Sequence, residues 1–138
     1  MTLESAAVLL LVLLFFVFGW YGLIYVLSPH MEDPDGIARI TGNCGDSMEI
    51  GLQLKDGTVQ KTHHWTDGCT MSRSCVESAA RLAQNKTPES LRNITMIDII
   101  EDVGPIPDTH LHCAQLAETT LHKALDDYLS GTKAKSVS

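Results

Sequence analysis

The chain opens with a run that has no polar face. From Ser5 to Leu27 no charged residue interrupts a sequence rich in leucine, valine and phenylalanine. About 20 apolar residues suffice to span a bilayer. Trp20, Tyr21 and Tyr25 gather toward the end of the run, where amphipathic rings favour the headgroup region. A cleaved signal peptide would start basic and end in a small-residue cleavage site, and neither is present. The pattern predicts a transmembrane anchor over 1–28, in contact with lipid through 5–27. No Lys or Arg precedes the run and Arg39 is the nearest one after it. That bias predicts a single-pass protein of the cell membrane with its C-terminal domain in the cytoplasm.

Polarity then changes twice. Ser28-Pro29-His30-Met31-Glu32-Asp33-Pro34-Asp35 is acidic and broken by two prolines, so 29–35 reads as a linker. A first strand is expected over Gly36–Thr41. Met48, Ile50, Leu52 and Leu54 next alternate with Glu49, Gly51, Gln53 and Lys55, a period of two that predicts a half-buried strand. Asp56-Gly57 is the dipeptide of a tight hairpin turn, and a third strand follows from Thr58 to about Trp65.

Beyond Cys69 the period becomes helical. Cys75, Ala79, Leu82 and Ala83 share one face between Thr70 and Gln84. Thr87-Pro88-Glu89 has the form of an N-cap, a first-turn proline and an acid. Thr95 with Asp98 marks another short helix through Val103, broken by Gly104-Pro105-Ile106-Pro107. Asp108 is expected to cap a last helix with an apolar stripe of Leu111, Ala114, Ala117, Leu121, Leu125 and Tyr128. Strands followed by helices predict an α+β domain over 36–130. It would be a small antiparallel sheet of about three strands with helices on one face. The polar segment 131–138 is expected to be a flexible tail.

Composition narrows the chemistry. A net charge of −7 over 138 residues argues against nucleic-acid binding. Reduced thiols in a cytoplasmic domain point to metal binding or catalysis rather than a disulfide framework. Three of the four cysteines fall at breaks between elements, in Gly42-Asn43-Cys44-Gly45-Asp46, Asp67-Gly68-Cys69 and His112-Cys113. Glycine lets the backbone turn and a bulky inorganic ligand come close. Thiolates suit zinc, copper(I) or iron–sulfur clusters. A helix N-terminus favours the thiolate form. Cys44, Cys69 and Cys113, with Asp46 and His112, are therefore the candidate metal- and cofactor-binding residues. Cys75 shares a helix face with alanines and reads as packing. His63, His110 and His122 read as solvated or locally hydrogen-bonded side chains, and His64 as a strand side chain.

The order Gly-x-Cys-Gly-Asp-x-Met, Thr-Asp-Gly-Cys and His-Cys-Ala-x-Leu-Ala resembles the iron–sulfur cluster assembly scaffold family. That family includes bacterial cluster scaffolds and the N-terminal domain of the nitrogen-fixation scaffold protein. The resemblance runs from Asp35 to about Leu129. It implies a non-catalytic scaffold whose ligand cysteines are Cys44, Cys69 and Cys113, with Asp46 as the functional aspartate and His112 as the histidine beside the last cysteine. It also implies a transient [2Fe–2S] cluster built from iron and sulfur, supplied by an iron donor and a cysteine desulfurase, and passed to acceptor apo-proteins; the anchor adds the expectation that membrane-bound proteins are among them. Many relatives carry Leu-Pro-Pro-Val-Lys before the His-Cys pair, where an Hsp70-type chaperone binds. Ile106-Pro107-Asp108-Thr109-His110 stands here instead, which argues against that partner.

Two other readings use the same residues. In one, Zn²⁺ held tetrahedrally by Cys44, Cys69, Cys113 and Asp46 serves a persulfide acceptor or relay. In the other, the domain is a thiol–disulfide exchanger, for which the chain lacks a closely spaced thiol pair.

Overall fold

The structure is a computed structural model in which residues 2–27 and 33–137 are described, with side chains through Gly131. The chain falls into two units, Met1–His30 and Met31–Ser138. In the first, helix α1 (Leu3–Leu27) is long and apolar enough to cross a membrane, with a mean hydropathy of 2.6. None of its side chains is buried. The predicted linker lies largely outside the described residues.

In the second unit β1 (Gly36–Thr41), β2 (Ser47–Lys55) and β3 (Thr58–Thr66) form an antiparallel sheet in the order β1-β2-β3. The alternation seen in the sequence sets its faces. Met48, Ile50 and Leu52 are fully buried beneath the helices. Glu49 faces outward, where it pairs with Arg39 at 3.1 Å and His63 at 3.3 Å. The Arg39 guanidinium lies 4.4 Å from the centre of the Trp65 ring. Asp56 and Gly57 both have positive φ (56° and 79°), as the primed two-residue hairpin requires.

The helices cover the other face. They are α2 (Thr70–Ala83), α3 (Pro88–Arg92), α4 (Met96–Val103) and α5 (Leu111–Val137). Ala114, Ala117, Leu121 and Leu125 of α5 and Cys75, Val76, Ala79 and Ala83 of α2 are buried in one core. At α4 the Asp98 carboxylate accepts the Thr95 N–H at 2.7 Å and its hydroxyl at 3.0 Å. These bonds, the backbone one first, hold the Asp98 carboxyl below its usual range. Asp102 accepts from the buried Ser78 hydroxyl at 2.6 Å and from Arg81, which ties α4 to α2.

One sequence expectation changes at α5. Asp108 lies in the first turn of a short 3-10 segment, Asp108–His110, that follows Pro107, and makes no side-chain cap. The fixed φ of Pro107 starts that turn in place of an acidic cap. At the other end α5 is helical to Val137. No proline interrupts the segment, and its alanine and lysines are good helix formers.

Candidate metal centre

Antiparallel pairing gathers the end of β1, the start of β2 and the end of β3 at one end of the sheet. The β1–β2 loop carrying Cys44 and Asp46 therefore lies beside the Thr66–Cys69 segment. Gly45, at φ +90°, adopts the left-handed conformation that glycine tolerates best. Its N–H donates to Gly42 O at 3.0 Å, and the Gly42 N–H donates to Asp46 O at 2.9 Å. Cross-links join this loop to the other segment. The Asp67 carboxylate accepts the Ser47 N–H at 2.7 Å, and the Thr66 hydroxyl donates to Ser47 O at 2.6 Å.

On this platform one ligand atom from each of Asp46, Cys69 and Cys113 lies within 4.8 Å of the other two. It is the one such group of three found among the described residues. Cys69 is the N-cap of α2 and exposed, Asp46 is half-buried, and Cys113 is buried in the first turn of α5. The group thus runs from solvent into the core.

The two thiols differ electrostatically. The Ser72 backbone amide, the largest cause, holds the Cys69 thiol below its ordinary pKa. Burial pushes the Cys113 thiol up. Cys69 is the readier thiolate of the two.

Cys44 and His112 stand outside this group. The tight Gly42–Asp46 turn leaves Cys44 exposed, and with His112, Gln115, Leu116 and Thr119 it lines an adjoining cavity of about 480 Å³. A charge on Cys44 still raises the Cys113 thiol, so the two belong to one neighbourhood. The His112 ring stacks on His110, with centroids 6.2 Å apart. Cys75 is fully buried, and burial pushes its thiol up to about 11. His122 hydrogen-bonds Ile94 O at 3.0 Å, and His110 bonds the Thr109 hydroxyl at 2.9 Å.

Sequence reasoning passed over Ser72. Its side chain is fully buried at the centre of the group, and its hydroxyl donates to Asp46 Oδ2 at 2.6 Å. The same oxygen lies 3.3 Å from Cys113 Sγ and 3.6 Å from Cys69 Sγ. The available signal was spacing, because a residue three beyond a helix N-cap sits on the same face.

The donor set, two thiols and a carboxylate, fits a borderline or soft transition metal and leaves room for a further ligand. Comparison with known proteins finds relatives of this chain. The family model described as NifU-like N terminal domain matches residues 31–135. The iron-sulfur cluster assembly scaffold protein IscU 1 of Archaeoglobus fulgidus is 34% identical over 100 residues, covering 71% of this chain and 65% of that protein. The IscU scaffold protein of Escherichia coli K12 is 25% identical over 120 residues, covering 77% of this chain and 93% of that protein. The chain thus spans just under two thirds of the Archaeoglobus relative. A crystal structure of a NifU-like N-terminal protein from Brucella abortus superposes with a TM-score of 0.57 at 18% identity. It covers 72% of this chain and 83% of that one, a likeness of fold.

Proposed function

Given that this chain belongs to the NifU-like N-terminal domain family, we propose that it is a scaffold on which a labile iron–sulfur cluster is built and from which the cluster is passed on. The observation that carries this reading is the convergence of Asp46, Cys69 and Cys113 within 4.8 Å. The cluster is cargo, so the site has to grip it without keeping it.

The donor set suits that task. Cys69, with its lowered pKa and exposed sulfur, is the first point of capture for ferrous iron. Cys113 closes the set from the core, and Asp46 adds a hard oxygen that holds soft iron–sulfur species less firmly. A [2Fe–2S] unit needs four protein ligands. Cys44 or His112, on the adjoining cavity, completes them. Sulfur enters as a desulfurase-derived persulfide, an oxidised form that takes up two electrons from an external reductant to become sulfide. The exposed Cys44 thiol is the residue placed to receive it.

Helix α1 anchors the scaffold in the cell membrane with the domain on the cytoplasmic side. Its length and apolarity support the anchoring. Tethering raises the local concentration of cargo at membrane-bound acceptors without any new contact.

The test is anaerobic reconstitution of the detergent-solubilised full chain with ferrous iron, sulfide and excess thiol. A visible chromophore with equal iron and acid-labile sulfide, lost to an apo-ferredoxin within minutes, is expected. Tightly held zinc and no sulfide would instead favour the persulfide relay, whose tetrahedral set the same residues supply.

A further inference from the structure

We infer that Ser72 is a positioning residue of the metal centre: its hydroxyl fixes the Asp46 carboxylate beside the Cys69 and Cys113 sulfurs and so sets how Asp46 meets a metal. This rests on the reading of Asp46, Cys69 and Cys113 as ligands and adds a residue that sets how firmly they grip.

The geometry leaves the hydroxyl little choice. Ser72 has one proton to give and two lone pairs to offer. At 2.6 Å from Asp46 Oδ2 the proton is committed to the carboxylate. Its oxygen then faces the Cys113 and Cys69 sulfurs, at 3.3 and 3.6 Å, as an acceptor for whichever thiol keeps its proton. Ser72 is fully buried, so no water competes for these bonds. One side chain therefore touches all three ligands while standing on none of the coordination positions.

Two consequences follow for metal binding. The Ser72 proton draws on Oδ2, which makes Oδ1 the stronger donor of the two and favours one-oxygen ligation, with a position left for water or incoming sulfide. The hydroxyl also holds the carboxylate and two thiols together before any cation offsets their mutual repulsion, and it does so from within the rigid first turn of α2. Partners that orient a ligand in this way typically change metal affinity by about 10–100-fold when removed.

The experiment is a cobalt(II) titration of the reduced, detergent-solubilised full chain, comparing the parent with Ser72→Ala, Asp46→Ala and the double variant. Affinity is read by competition with a chromophoric chelator, and ligation by the thiolate-to-cobalt charge-transfer band. Ser72→Ala is expected to weaken binding by about 10–100-fold while the charge-transfer band persists, because both thiolates remain. In the Asp46→Ala background the same substitution is expected to cost little more, since the two losses share one cause. Unchanged affinity in Ser72→Ala, or losses that multiply in the double variant, would overturn the assignment. A parent that binds cobalt with no charge-transfer band would instead sink the reading of the centre itself, and Ser72's role with it.

Discussion

Gly68 gives up its side-chain space to Asp46: a Cβ there would lie 2.5 Å from Asp46 Oδ2 and 2.7 Å from Ser72 Cβ. The glycine between β3 and the Cys69 cap is thus a matter of room for the carboxylate rather than of backbone freedom. Gly68→Ala should push Asp46 off the Ser72 hydroxyl and out of the group without removing a single ligand atom. We expect cobalt(II) affinity to fall by about tenfold or more, comparable to losing an orienting partner. Parent-like affinity in this variant would mean that the carboxylate position is not what the site depends on.

Much of this arrangement could be read from local chemistry, because local chemistry produced it. The β2 alternation, the Asp56-Gly57 turn, the Thr95–Asp98 cap and the α5 stripe are each decided within a few residues. So was the placement of Cys69 at a helix start. What escaped notice depends on distant partners. Ser72 is polar on a helix face that packing alone would fill with apolar residues, and its partners lie 26 and 41 positions away. The outward setting of Cys44 follows from the shape of a glycine turn, which composition does not show. The short 3-10 turn at Asp108–His110 likewise replaced an expected cap.

Gly36 meets a similar limit in the core. A Cβ at this position would lie 2.3 Å from Ala124 O and 2.7 Å from Tyr128 Cβ, both on α5. The first obstacle is backbone and cannot rotate away. Gly36→Ala should cost about 1–3 kcal/mol, in the range of core overpacking. For a domain near 100 residues each kcal/mol lowers the melting point by about 4–8 °C. Thermal unfolding of the full chain in detergent checks this, and an unchanged midpoint would show that β1 can lift from α5 freely.

The thiols should react in an order that the structure dictates. Thiolate is the reactive form, so a lowered pKa means more of it at neutral pH. Cys69 is exposed and lowered, chiefly by the Ser72 amide, whereas Cys113 and Cys75 are buried and raised, Cys75 to about 11. Brief iodoacetamide labelling of the metal-free, reduced protein at pH 7, followed by peptide mass spectrometry, should find Cys69 modified well before Cys113. Cys75 should stay unmodified until denaturant is added. Labelling of Cys75 in the native protein would show that α2 opens readily.

Acid sensitivity should map partly onto Asp102. The Ser78 hydroxyl first, and then Arg81, depress its carboxyl pKa in the folded state. A depressed carboxylate binds protons less readily when folded than when unfolded. Its contribution to stability is therefore present above the unfolded value near 3.8 and lost as pH falls through the lower folded value. Asp102→Asn should lower the melting point at pH 7 and by less at pH 3, below the unfolded value. An equal loss at both values would assign the role of Asp102 to packing rather than charge.

Cys44 and Cys113 should separate in what they support. Asp46, Cys69 and Cys113 have ligand atoms within 4.8 Å of one another, while Cys44 lies outside that group on the neighbouring cavity. A single cation needs only the group and solvent, so Cys44→Ala should change cobalt(II) affinity by less than the roughly tenfold cost of losing an orienting partner. Cys113→Ala, which removes a ligand from the buried end, should abolish tight binding. A two-iron unit is larger and needs four protein ligands, so it has to draw on the cavity side as well. Reconstitution of Cys44→Ala with iron and sulfide should therefore fail, or yield a chromophore that decays faster than the parent's, even though the variant still takes one metal ion. If Cys44→Ala loses cobalt as completely as Cys113→Ala does, Cys44 swings into the group once metal is present, and the division between a one-metal core and a sulfur-side cavity is wrong.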